Sequence, residues 1–289
     1  MQVQRGGVGL RRSERLIRLT KRLIDNPGLP ISLSELADKF DSAKSSLSED
    51  VSIVRDVLES GQEGTVETIP GAAGGVRYVV DVPEQERQQF LKELSLQLSE
   101  KSRILPGGFV YMSDVLGDPD VLDTIGRLFA SAFAASGVNV VVTIETKGIP
   151  LAVATARYLH VPMVVVRREH KVTEGAAISM HYVSGSERRI QTMSISKRAM
   201  PEKARALIVD DFMRAGATAK AVVSLLAEFA VEVVGTAVFV ATVEPEQKLV
   251  SDYLALLSLA QLEEGQGSIA VYPAVQYQDI SYSKKRSRE

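Results

Sequence analysis

Residues 206–218 read ALIVDDFMRAGAT: four apolar residues, two adjacent aspartates, then a glycine-containing stretch that ends in threonine. A buried strand that runs straight into two carboxylates needs a reason, because an ionised carboxylate is costly away from water. A strand–loop–helix site for a sugar phosphate supplies one. Ligands of open α/β sheets gather at the carboxyl ends of the strands, and Asp210 and Asp211 stand where this strand is predicted to end. Arg214, Ala215, Gly216, Ala217 and Thr218 then form a loop that opens a helix, whose backbone N–H groups can surround a phosphate. Gly216 permits a close backbone approach, and Thr218 offers a hydroxyl. Adjacent carboxylates suit vicinal hydroxyls, each accepting one O–H, and also attract a divalent cation. The alternative, weaker for this string, is two polar strand-end residues before a capped helix. Its glycine spacing matches neither a Walker loop nor a dinucleotide fingerprint.

The flanking sequence alternates in the same way. VNVVVTIE (138–145) is a buried-strand run, TKGIPLAVATARYLH (146–160) a Gly-Pro loop and helix, and VPMVVVRRE (161–169) a second strand. A polar, hairpin-like and loop-like stretch fills 171–200. After the strand 206–211 come the helix AGATAKAVVSLLAEF (215–229) and the strand VEVVGTAVFVA (231–241). Strands alternating with helices predict a parallel α/β sheet with helices on both faces.

The first eighty residues follow a different pattern. SERLIRLTKRLIDNP (13–27) carries Leu16, Ile17, Leu19, Leu23 and Ile24 at helical spacing, with Ser13 as N-cap and Pro27 as stop. SLSELADKF (32–40) opens on a Ser32-x-x-Glu35 capping pattern. SAKSSLSEDVSIVRDVLESG (42–61) forms a third helix, with Leu47, Val51, Val54 and Leu58 on one face. TVETIPGAAGGVRYVV (65–80) alternates on both sides of GAAGG and reads as a hairpin. Three short helices and a hairpin are the order of a winged helix-turn-helix, which makes the third helix the candidate for the DNA major groove. Its start carries Lys44, Ser45, Ser46 and Ser48, short donors that reach phosphates and base edges; serine is also simply favoured in a first helical turn. The expected domains are a winged-helix domain with a basic arm (1–81), an α/β domain (82–280) opened by the charged helical stretch 82–105, and a basic tail (281–289).

The 289 residues carry a formal net charge of −2 that hides a polarity. Within residues 1–22, Arg5, Arg11, Arg12, Arg15, Arg18, Lys21 and Arg22 face Glu14 alone. Clustered cations of this kind either form a solvated arm or contact nucleic-acid phosphates; Arg5, Arg11, Arg12 and Arg15 are the candidate contacts. The absence of cysteine excludes disulfides, thiolate metal sites and cysteine nucleophiles. His160, His170 and His181 lack zinc-ligand spacing, and no redox cofactor is expected. No apolar run approaches membrane-spanning length, so a cytoplasmic protein without membrane contact is expected.

IVDDFMRAGAT resembles the phosphoribosyl pyrophosphate motif of type I phosphoribosyltransferases. That resemblance implies that Asp210 and Asp211 hold ribose hydroxyls and that Ala215–Thr218 hold the 5′-phosphate. Glu145–Pro150 falls where those enzymes have a pyrophosphate loop, so Lys147 and the Gly148 backbone would face the diphosphate, with magnesium as a companion ion. Residues 179–200, including Lys197 and Arg198, fall where the family has a flexible loop that closes over the ligand. With AKSSLSED (43–50), PGAAGGVRY (70–78), RILPGGFVYMSD (103–114), TKGIPLA (146–152) and ERRIQTMS (187–194), nearly the whole chain resembles the purine operon repressors of Gram-positive bacteria. The resemblance implies a homodimer that binds paired control sites on double-stranded DNA and is released by phosphoribosyl pyrophosphate; a pyrophosphorylated nucleotide could in principle occupy the same site and act oppositely. Phe212-Met213-Arg214-Ala215 departs from the enzymes, which carry small hydroxyl residues there. A repressor that senses the ligand without catalysis is therefore expected; a working purine phosphoribosyltransferase is the alternative, and the intact acid pair and loops argue against a dimer that has lost ligand binding.

Overall fold

The computed structural model describes residues 10–71, 74–105, 109–168, 175–183, 190–261 and 269–274. Arg5 and the basic tail lie outside them. The chain divides into two compact units: Met1–Glu84 with Tyr158–His160, and the remainder.

The first unit is a winged helix-turn-helix: α1 (Arg12–Asp25), α2 (Leu33–Phe40), α3 (Lys44–Ser60), β1 (Gly64–Ile69) and β2 (Gly75–Val80). Its core takes Leu19 and Leu23 from the first marked stripe and all four residues of the third, while Ile17 and Ile24 are exposed. Leu19 and Leu23 of α1, Leu36 and Phe40 of α2, and Leu47, Val51, Val54 and Leu58 of α3 are all buried, with Val66, Val76 and Tyr78 of the hairpin. Ser32 caps α2 by accepting the Glu35 N–H. The cap of α1 lies two residues earlier than the expected Ser13: Arg11 is the N-cap, and the Glu14 carboxylate accepts its backbone N–H. Asp50 of α3 is fully buried and accepts from Arg12 and Arg15 of α1, which fixes the two helices against each other.

The second unit opens with α4 (Glu84–Leu98), the two-residue strands β3 (Ile104–Leu105) and β4 (Phe109–Val110), and α5 (Pro119–Phe133). It continues with β5 (Val140–Ile144), α6 (Gly148–Leu159), β6 (Met163–Val166), the hairpin β7 (Ala177–Val183) and β8 (Ile190–Ser196), β9 (Arg205–Met213), α7 (Ala217–Ala227), β10 (Glu232–Thr242), β11 (Tyr253–Gln261) and β12 (Ile269–Pro273). The main sheet runs β12-β11-β10-β9-β5-β6. Every neighbour pair is parallel except β11–β12. The sheet is therefore wider than the alternation over 138–241 indicates, and it closes on an antiparallel edge. Strand β5 is buried at every residue, as expected of a strand covered on both faces. One face carries Val140, Val142, Ala206 and Ile208 against Val222 and Leu225 of α7 and Met193 and Ile195 of the β7–β8 hairpin.

The acidic strand does not end at Asp211. It runs on to Met213, because Met213 is buried among Ala219, Val238, Ala241 and Ala255 and pairs in register with Ala241. The apolar Phe212-Met213 pair prolongs the strand by two residues, and the loop shrinks to Arg214–Gly216. No described helix is long and apolar enough to cross a membrane.

Candidate functional site

The site lies where two parallel strands part. Pairing between β5 and β9 stops at Thr143↔Val209, while β9 continues along β10 through Asp210↔Val238 and Phe212↔Val240. The chain places β6 on one side of β5 and then β9 on the other, so this is the point at which the strand order reverses, where such sheets bind ligands. A cavity of about 750 Å3 opens there. Its lining includes Lys147, Asp210, Asp211, Arg214, Ala215, Gly216, Ala217 and Thr218, so the structure brings most of the expected effector residues together.

Asp210 and Asp211 are adjacent in an extended strand, so their side chains leave it on opposite sides, and both line the cavity. The Asp210 carboxylate accepts the Asp211 N–H at 3.0 Å. Burial, and then the neighbouring Asp211 charge, push the Asp210 carboxyl well above the usual carboxylate range. Burial also raises Asp211, against a hydrogen bond from Asp210 and the charge of Lys147. Such a pair is best satisfied by ligand O–H groups or by a cation. The donor set suits magnesium, which takes one or two carboxylates and completes its shell with water and ligand phosphates. Among the described residues, no three potential ligand side chains converge on a metal position, so the acid pair would hold the ion only together with a ligand.

Helix α6 begins against this pair. A Cβ on Gly148 would lie 2.4 Å from the Thr143 hydroxyl and 3.3 Å from the Asp210 carboxylate, so only glycine lets the helix start here. The preceding loop, Glu145-Thr146-Lys147, follows β5 directly, and its Glu145–Thr146 peptide is cis. The Glu145 carboxylate is tied down by the Arg168 N–H at 2.6 Å and the Arg167 guanidinium at 3.3 Å. Lys147, Arg168 and Arg214 are the cations on the cavity lining.

On the other side, Gly216 caps α7 with φ of 82°, a conformation that disfavours side chains. The first N–H groups of α7 have no partner within the helix and face an incoming anion. The short loop before them is braced from behind, by contacts that sequence spacing does not disclose. The Leu249 N–H donates to the Ala215 carbonyl at 2.9 Å, and the Thr242 hydroxyl stands 3.3 Å from the Arg214 carbonyl. Lys248 in turn donates to the Thr242 carbonyl at 2.7 Å, and burial lowers its ammonium below the ordinary lysine range.

The cavity also has an apolar wall, which sequence reasoning left unassigned: Leu105, Phe109, Val110 and Met112. They sit on the β3–β4 hairpin and the residues after it. A bidentate pair at the hairpin's base, Arg103 with Asp114 at 2.7 and 2.8 Å, clasps the two ends together. That hydrogen bonding holds the Asp114 carboxyl below its usual range. The repeated apolar residues in RILPGGFVYM were the available signal.

Other expected residues fall elsewhere. Lys197 and Arg198 occupy an exposed turn after β8 and are not among the cavity lining; the middle of the expected flexible loop, 184–189, lies outside the described residues. In the first unit, Lys44, Ser45 and Ser48 are exposed at the start of α3 and Ser46 is half-buried. Arg11 is exposed, whereas Arg12 and Arg15 are drawn onto Asp50. The tip of the GAAGG turn, 72–73, is outside the described residues.

The chain matches two family profiles: "Bacterial purine repressor, N-terminal" over residues 11–80 and "Phosphoribosyl transferase domain" over residues 112–266. It is 46% identical to the purine biosynthesis transcriptional repressor PurR of Bacillus subtilis, over 90% of this chain and 92% of that protein. The chain belongs to the bacterial purine repressor family. Within that family it is also 40% identical to the purine biosynthesis transcriptional activator PurR of Lactococcus lactis subsp. lactis, over 91% of this chain and 97% of that protein. The second unit has the fold of adenine phosphoribosyltransferase from Rhodothermus marinus, with a TM-score of 0.51 at 24% identity, covering 59% of this chain and 98% of that structure. The family thus joins a winged helix to a phosphoribosyltransferase fold, as both units display.

Proposed function

We propose that this chain is a DNA-binding repressor of purine biosynthesis genes that measures phosphoribosyl pyrophosphate in a site of transferase descent, without turning it over. The observation that carries the reading is the acid pair at the strand divergence, flanked by a cationic loop on one side and a helix-capping loop on the other, in a chain that also holds a winged helix. Asp210 and Asp211 accept the ribose hydroxyls. The N–H groups of α7 and the Thr218 hydroxyl take the 5′-phosphate. Lys147 and the start of α6 face the diphosphate, whose magnesium, when bound, neutralises charge beside the acid pair.

Two features favour sensing over catalysis. Each acid on the lining has a task, Glu145 with Arg167 and Arg168 and the two aspartates with the ribose, which leaves no carboxylate to manage a nucleobase proton. Arg214, an exposed cation, stands where the enzymes carry a small residue. The apolar wall leaves room for a base, so a pyrophosphorylated nucleotide competes for the same cavity. Two copies of the chain bind paired control sites, and effector occupancy favours the state with lower DNA affinity; that requires a difference in effector binding free energy between the two states.

A gel shift on a purine-gene control region, with and without phosphoribosyl pyrophosphate and magnesium, tests the regulatory half. The protein should bind the DNA and be released by the effector. The enzymatic alternative is tested by pyrophosphate release with adenine, guanine, hypoxanthine or xanthine, and turnover with any of them would overturn the sensor reading.

A further inference from the structure

Helix α1 carries more positive charge than its packing uses. Arg12 and Arg15 bond to Asp50, and only 12% of the Arg15 side chain is exposed. Arg11, Arg18 and Arg22 are exposed and behave differently. At 3.6 residues per turn, positions 11, 18 and 22 fall within about 40° of one another around the helix. They share one face, beside the buried stripe of Leu19 and Leu23.

That face has no internal neutralisation among the described residues. Arg18 and Arg22 enter no side-chain ion pair or hydrogen bond there. The nearby acids are engaged: Asp25 pairs with Lys21 at 2.8 Å, and Glu14 accepts the Arg11 N–H. Like charges four residues apart, as in Arg18 and Arg22, weaken a helix, and a cation at its N-terminus opposes the helix dipole, which favours only Arg22, in the last turn. Helix stability therefore does not account for Arg11 and Arg18; an anion outside the protein does.

The geometry favours duplex DNA as that anion. The face extends over about 16 Å, at 1.5 Å per residue from Arg11 to Arg22, and duplex DNA offers one phosphate charge per roughly 1.7 Å of axis. The Arg15–Asp50 pair locks the rotation of α1 against α3, so the arginine face holds a fixed orientation relative to Lys44 and Ser45. We infer that Arg18 and Arg22, with Arg11, form a second phosphate-backbone contact on α1 that grips the duplex while the start of α3 engages the groove. This rests on the reading of the first unit as a DNA-binding module. Asp50 acts as its positioning residue, with Arg12 and Arg15 serving the protein's own packing.

The test uses the full chain and a fluorescent duplex of about 30 base pairs in a salt series. In R18A/R22A the magnitude of the log–log salt slope should fall by roughly two, since each lost phosphate contact removes about 0.9. Affinity at 0.1 M salt should drop on the order of tenfold or more. R18K/R22K should keep the wild-type slope, because lysine preserves the charge, and circular dichroism should show α1 retained in both variants. A wild-type slope in R18A/R22A would overturn the inference while leaving the DNA-binding reading intact. A wild-type protein with no salt-dependent DNA binding would overturn that reading itself.

Discussion

Both units draw carboxylates away from bulk water, Asp50 fully and the Asp210–Asp211 pair in part, and they treat them in opposite ways. Asp50 in the first unit is fully buried and completely answered by the protein, with two arginines from α1 on its two oxygens. Asp210 and Asp211 in the second are neighbours in one strand, with Arg168 acting on the first and Lys147 on the second, and burial pushes both above the ordinary carboxylate range. A satisfied buried acid is structure. On the proposed function, a pair left under-compensated is a place for the effector's hydroxyls and cation. Stability then sits at the α1–α3 junction and effector affinity at the strand divergence.

The largest way to break this contrast is Asp50→Ala. Removing one partner of a buried ion pair is costly, discounted here because Arg12 is more than half exposed. A loss of about 2 to 3 kcal/mol is expected in urea denaturation, with DNA affinity falling alongside. Little change in stability would make Asp50 no different from a surface acid.

Asp210→Asn should behave oppositely. A carboxyl whose folded pKa is raised lets the native state hold its proton longer than the unfolded state does. It therefore costs stability as pH rises above the unfolded value near 3.9, fully so once the folded pKa is passed. Asp210→Asn should exceed wild type in stability at pH 7, and the gap should shrink toward pH 4. A destabilised variant at pH 7 would mean that the acid pair is a structural element after all.

A smaller effect is expected from Lys248→Met, which removes the brace behind Arg214–Gly216. Effector affinity, read by isothermal titration, should weaken by about threefold to tenfold, equivalent to one lost hydrogen bond of roughly 1 kcal/mol. Lys248→Arg should recover part of it. Asp114→Asn should be milder still, since its half-exposed clasp is screened by solvent. Its effect should disappear as pH falls through the depressed Asp114 pKa, where the wild-type pair is lost as well.

Much of this was legible in sequence. The stripe in 42–61 named four core residues of the first unit, because an amphipathic helix repeats its apolar positions, whereas of the stripe in 13–27 only Leu19 and Leu23 are core and Ile17 and Ile24 are exposed. The string LIVDD named the acid pair and its strand. What escaped was non-local or competing. Phe212 and Met213 looked like loop because acids precede them, yet Met213 has a core seat against Ala241 and Ala255 that prolongs the strand. The pairing of Arg12 and Arg15 with Asp50 could not be read locally, because Asp50 lies 38 and 35 residues away. The brace from Thr242 and Lys248, and the clasp from Arg103 to Asp114, depend on tertiary approach that no local spacing encodes.

The most direct measurement of the central claim is a titration of the preformed protein–DNA complex with phosphoribosyl pyrophosphate and magnesium, comparing wild type with Asp210→Ala/Asp211→Ala. Wild type should release the DNA as the effector saturates. The double variant should bind the DNA with wild-type affinity and stay bound. Release of the variant at the same effector concentration would contradict the assignment of the acid pair as the site that senses the effector.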